Sequence, residues 1–141
     1  MRQSIVAVLG ASALLILPSA SAKDFGPGDL RVCSATRCEA IVNREVLPAL
    51  ASFYYGGPAP RRLRRPPLGV PCYQLRFRND YVTGIVATRR LDRFLSYGVH
   101  LGRFARGQWY AVSRPLSREL RRLTVDLRPL RLTRAALARS H

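Results

Sequence analysis

From residue 73 onward the side chains change character at every second position, and that rhythm commits the chain to a sheet. Tyr73, Leu75 and Phe77 alternate with Gln74, Arg76 and Arg78, which is the pattern of a strand buried on one face. Asn79-Asp80 is a turn signal, and 81–88 (YVTGIVAT) follows with the β-branched richness of a second strand. Gly84 in the middle of it points to a bulge or to the close approach of another backbone. Val99 to Phe104 and Gln108 to Val112 read as another hairpin across 105–107 (ARG), with Trp109 and Tyr110 on opposite faces. The stretch 89–98 (RRLDRFLSYG) has two readings. Leu91, Phe94 and Leu95 have helical spacing, while a turn followed by a strand through Phe94 to Tyr97 fits nearly as well.

A sheet face in a lone domain needs helices against it, and the sequence offers two. Over 115–127, Leu116, Leu120, Leu123 and Leu127 form one apolar stripe, with Arg118, Arg121 and Arg122 on the opposite side. Pro115 suits a first helical turn and Pro129 discourages continuation. A second helix over 44–54 would set Val46, Leu47, Leu50 and Phe53 along one side, with Asn43 as its N-cap and Glu45 in its first turn. Pro48 belongs to that helix only if it starts late. The tail, LRLTRAALARSH, adds a short helix from Thr133 or frays. The expected fold class is α+β: an antiparallel sheet built from hairpins, covered by one or two amphipathic helices.

Residues 56–71 (GGPAPRRLRRPPLGVP) hold three Gly, five Pro and four Arg. That composition predicts a loop with polyproline stretches and no packed element. Loops of this length inside a domain are functional or disordered. Arg61, Arg62, Arg64 and Arg65 within it are the densest charge on the chain. They form either a mobile anion-binding finger or a solvated connector open to proteases.

The first 22 residues have the marks of a secretory signal peptide. Arg2 is followed by an apolar run from Ile5 to Leu17, Pro18 breaks it, and Ala20-Ser21-Ala22 is an A-x-A cleavage site. The run is shorter than the roughly 20 residues that span a bilayer. Cleavage near Ala22 would leave one secreted domain, 23–141, outside the cell or on its wall.

Three cysteines agree with an oxidising compartment. Cys33 and Cys38 flank SATR, with strand-like residues on either side, and a four-residue hairpin loop brings such a pair within disulfide range. The metal-site reading of C-x₄-C needs further ligands, and His100 and His141 are the chain's two histidines. Cys72 has no evident mate. A buried free thiol, an intermolecular bridge and a different pairing with Cys33 or Cys38 all stay open.

Charge is the compositional anomaly. The mature chain would carry 22 Arg and one Lys against eight acids, a net of +15. Residues 23–60 balance to zero, so the whole excess lies in 61–141. Such an excess concentrates anionic partners and weakens with salt. Anionic wall polymers, lipid headgroups and non-specific nucleic acid are the candidate partners for an exported chain. Arg76 and Arg78 face away from Tyr73 and Phe77, which argues against a base-stacking platform but leaves attraction to phosphates intact.

Catalytic motifs are missing from the sequence. There is no phosphate-binding glycine loop, G-x-S-x-G or H-E-x-x-H. Cys72, His100 and Asp80 or Asp92 can be named as a nucleophile set, without support from their spacing. Asp92, flanked by Arg90 and Arg93, is expected to form a salt bridge. No cofactor is implied.

C-x₄-C near the start, then YVTGIVAT, LDRFLSYG, RF-x₄-WY and ELRRLT, resembles small exported proteins of high-GC Gram-positive bacteria. The resemblance implies an origin and a compartment, and transfers no activity and no site residue. The function expected is a non-enzymatic, cationic binding protein acting on anionic envelope surfaces or polymers. Its contacts would be Arg61, Arg62, Arg64, Arg65, Arg118, Arg121 and Arg122. The alternatives are a small exported hydrolase and an interaction module of the protease-inhibitor kind, presenting 56–71 as bait.

Overall fold

The alternation at 73–77 becomes the centre of an antiparallel sheet. A computed structural model describes residues 26–56, 60–78, 81–98 and 104–139. The expected signal peptide and cleavage site, the turn expected at Asn79-Asp80, and His100 lie outside these. In chain order the elements are β1 (Arg31–Cys33), β2 (Cys38–Ala40), α1 (Leu47–Tyr55), β3 (Arg62–Leu63), β4 (Pro71–Phe77), β5 (Tyr81–Ala87), β6 (Arg93–Ser96), β7 (Trp109–Ala111), α2 (Arg114–Leu123), β8 (Leu130–Arg131) and α3 (Arg134–Ala138). The sheet runs β2-β1-β4-β5-β6-β7-β3, and β8 pairs with β4 beyond the end of β1. The fold class is α+β.

Both faces of the sheet are apolar, and the period of two divides the residues between them. Tyr73, Leu75, Val86, Phe94 and Tyr110 belong to a first cluster with Leu50, Phe53 and Tyr54 of α1 and Leu116 and Leu120 of α2. Cys72, Ile85, Ala87, Leu95 and Trp109 form a second cluster, with Leu132 and, from α3, Ala136 and Leu137. Trp109 and Tyr110 therefore face opposite ways. In the first cluster the Phe53 ring of α1 stands 5.3 Å from that of Phe94 and 5.0 Å from that of Phe104.

Gly84 meets both conditions read from the sequence. The β4–β5 register slips between Leu75 and Arg76, so that Thr83 is the extra residue of a bulge. A side chain at Gly84 would collide with the Leu95 carbonyl and the Phe94 ring. The bulge turns Thr83 toward α1, where its hydroxyl and that of Tyr54 share a 3.0 Å hydrogen bond.

Cys33 and Cys38 are opposite partners in the β1–β2 register and are joined by a disulfide. Ser34 closes the loop, its N–H donating to Arg37 O at 2.8 Å. Cys72 is a buried free thiol in the second cluster.

Several expectations need correction. The first helix starts at Leu47, not Arg44, because Pro48 is accommodated only in a first turn. Asn43 is not its cap; the Asn43 side chain instead accepts Glu45 N–H at 3.0 Å in a preceding turn. The helix α2 stops at Leu123 rather than 127. There the Thr124 hydroxyl bonds back to Leu120 O at 2.8 Å and the chain turns, carrying Leu127 into the core from a loop.

Stretch 89–98 is a turn and a strand, without a helix. The expected strand at 99–104 lies, but for Phe104, outside the described residues; β7 pairs with β6, placing Phe94 opposite Tyr110 and Leu95 opposite Trp109, so that like faces meet. Segment 56–71 does contain a packed element. Arg62 and Leu63 pair with Tyr110 and Trp109, and Pro66 is buried. An edge strand needs donors on one side only, so flanking prolines are tolerated.

Candidate anion-binding rim

The register collects arginines at one end of the sheet. Arg131 pairs with Pro71, Cys72 with Ala87, Ala87 with Arg93, and Arg93 with Ala111. Ala111 N–H then donates to Arg61 O at 2.9 Å. These contacts trace one row across β8, β4, β5, β6, β7 and β3. At about 4.8 Å per strand the row is roughly 24 Å long. Arg61, Arg62, Arg89, Arg90, Arg93, Arg114 and Arg131 all sit in this row or in the chain turning out of it. All but the half-buried Arg93 are exposed.

The β5–β6 turn, 88–92, is tied to the rest of the rim. Thr88 N–H donates to Pro71 O at 3.0 Å, and Val112 N–H to Asp92 O at 2.9 Å. The Ser117 hydroxyl donates to Arg90 O, which fixes the turn against α2. Arg114, three residues before Ser117, and Arg121, four after it, are its neighbours on the helix surface. Arg118 is exposed one position on. Within the turn, Thr88 and Leu91 have φ of 80° and 52°. Positive φ is a rare conformation for a β-branched residue and costs about 1–3 kcal/mol per residue. Buried Leu91 and the three anchoring hydrogen bonds hold it in place. The strain lies where Arg89 and Arg90 are presented.

Asp92 makes no salt bridge with its flanking arginines here; it accepts the Thr88 hydroxyl at 2.7 Å. Arg93 instead donates to Arg64 O at 2.8 Å. The acids that do pair with arginine in the described residues lie off the row. Asp29 takes Arg78, Glu39 takes Arg37 and Glu119 takes Arg122. The Arg78 hydrogen bond holds the Asp29 carboxyl below its ordinary range. The Arg122 hydrogen bond does the same for the buried Glu119, with a smaller contribution from Asn43.

The seven arginines expected from sequence thus separate. Arg61 and Arg62 are at the rim, and Arg118 and Arg121 are on the helix beside it. Arg122 is committed to Glu119 at 2.6 Å. Arg64 and Arg65 lie on the segment leading to Val70, which packs with the second cluster. Arg89, Arg90, Arg93, Arg114 and Arg131 join the rim without having been singled out. The available signal was an Arg-Arg pair between two strand-like segments, obscured by the helical spacing around Leu91.

Burial pushes the Cys72 thiol up to about 11, which leaves it protonated at neutral pH. With Asp92 bonded to Thr88, and His100 and Asp80 outside the described residues, the nucleophile set is not assembled among the described residues. Those residues also contain no cluster of three or more metal-binding side chains, and none of their helices is long and apolar enough to cross a membrane. The chain matches no family model, no curated protein and no solved structure.

Proposed function

We propose that the protein is exported and acts as a non-enzymatic cationic binder of anionic envelope polymers or surfaces, with the rim as its contact. The observation that carries this reading is the row of exposed arginines along one end of the sheet. Guanidinium groups offer paired N–H donors to phosphate, sulfate and carboxylate. A rim of them raises the local concentration of polyanions. The leader supports the exported part of the reading. The test is titration of the oxidised mature chain with polyphosphate, heparin and anionic vesicles at several salt concentrations. Binding at low salt that falls on replacing Arg89, Arg90 and Arg114 by Ser is the expected result. Absence of binding at low salt, or indifference to those replacements, overturns the reading.

One observation favours the inhibitor-like alternative. The Arg62-Leu63 segment is extended, paired with β7 and followed by buried Pro66, as bait presented to a protease would be. Slow trypsin cleavage after Arg62 and Arg65, with loss of trypsin activity, supports that alternative; rapid cleavage removes it.

A further inference from the structure

A cleft of about 400 Å³ opens between α1, the start of α2 and the residue before β3. Its walls are Ala49, Ser52 and Phe53 of α1, Pro60, the β7 exit at Ala111 to Ser113, and Pro115. No charged side chain lines it, and its surface is mainly carbon. The residues next in sequence to its walls are of the opposite kind. Arg61 follows Pro60, and Arg114 lies between Ser113 and Pro115, both exposed. Neither side chain meets an acid among the described residues. Ser113, at the N-cap of α2, makes no capping hydrogen bond with its side chain.

We infer that this cleft binds an amphipathic anion: a single alkyl chain lies in the cleft, and its phosphate, sulfate or carboxylate head meets Arg61 and Arg114. The argument is charge complementarity around an apolar recess. A neutral apolar ligand would leave both guanidinium groups unused, and an alkyl cation would be repelled by them. A polyanion without apolar parts would hold to the rim and leave the cleft empty. Pockets of this size take one small ligand, so the occupant is one chain and not a bilayer patch. The inference shares Arg61 and Arg114 with the proposed rim but concerns a different ligand, so either can fail alone.

The experiment is calorimetric titration of the oxidised mature chain with butyl, hexyl, octyl and dodecyl phosphate, each below its micelle concentration. Inorganic phosphate, dodecyltrimethylammonium and dodecanoate complete the set. Affinity should rise by roughly fourfold per added methylene until the cleft is filled. Inorganic phosphate should bind weakly, and the ammonium homologue should not compete. Ser52→Trp, at an exposed wall position, and Ala49→Trp should each abolish the chain-length dependence while leaving polyphosphate binding unchanged. Arg61→Ser with Arg114→Ser should weaken dodecyl phosphate tenfold or more. Dodecanoate and phosphatidylglycerol vesicles distinguish the two sources of such a chain, a free fatty acid and a lipid. Binding of monomers supports the inference; binding confined to vesicles overturns it. Chain-length independence, equal binding of the ammonium homologue, or indifference to both tryptophan variants also overturns it.

Discussion

Gly84 is the residue on which the sheet's packing is most finely set. A Cβ there would overlap the Leu95 carbonyl and approach Phe94 Cε2 to 2.5 Å. Neither partner can retreat, because Leu95 is held in the ladder and Phe94 is fully buried. Gly84→Ala should therefore cost about 3 kcal/mol, the upper end of overpacking, read as a lower urea midpoint with an unchanged m-value. Cys72 offers a complementary test. Its thiol is buried and pushed up to about 11 by desolvation, and the thiolate is the reactive form. In the folded protein at pH 8 it should resist a thiol reagent, and in urea one equivalent should react; rapid labelling of the native state would contradict the burial. The sequence anticipated both residues in part. A glycine inside a β-branched run carries a steric meaning by itself, and the C-x₄-C spacing left Cys72 unpaired. It did not reveal Thr88 and Leu91, because positive φ in non-glycine residues is imposed by tertiary anchors that leave no local pattern.

Element boundaries depend on such anchors too. The period of two identified β4 and β5 and the leucine stripe identified α2, since burial of one face forces each periodicity. Short strands were less legible. β3 and β8 each contain two residues, too few for any alternation, and exist because β7 and β4 offer free edges to them. The rim inherits that difficulty, as it is assembled from strand ends that only the pairing order brings together. Among the helices, α2 has a second task besides presenting arginines: through Glu119 it links Arg122 and Asn43. Glu119 has a depressed folded-state pKa, as has Asp29 beside Arg78. A depressed carboxylate stabilises the fold above its unfolded pKa, and the contribution is lost as pH falls through the folded value. The ordinary values are 3.8 for Asp and 4.5 for Glu, so melting temperature should hold at neutral pH and decline below about pH 4. Asp29→Asn with Glu119→Gln should lower stability at pH 7 and flatten the acid decline. Arg122→Ala should destabilise more than Arg118→Ala or Arg121→Ala, because only Arg122 leaves a buried carboxylate behind; equal melting temperatures would remove its structural role.

At the scale of the molecule, net charge alone does not describe how the arginines of the described residues are arranged. Arg78 and Asp29 neutralise each other near the end of β4 opposite the rim, and Arg37 and Glu39 do so on β2. The arginines of the row from Arg131 to Arg61 form no ion pair among the described residues, so a polyanion lying along it would meet their guanidinium groups together. A matched-charge comparison separates this arrangement from bulk cationic character. Replacing Arg89 and Arg90 by Ser removes two charges from the rim. Replacing Arg106 and Arg139 by Ser removes two from the opposite end, where the Arg106 guanidinium reaches Arg139 O at 3.4 Å. Both variants have the same net charge. If binding follows the total, a phosphodiester polymer should bind the two alike. If it follows the rim, the first variant alone should lose affinity. Its dependence of log K on log salt should then become shallower by about 0.7 to 0.9 for each lost phosphate contact. The second should keep the slope of the parent chain. Equal slopes in the two variants would mean that the arginine row is no more than a consequence of composition.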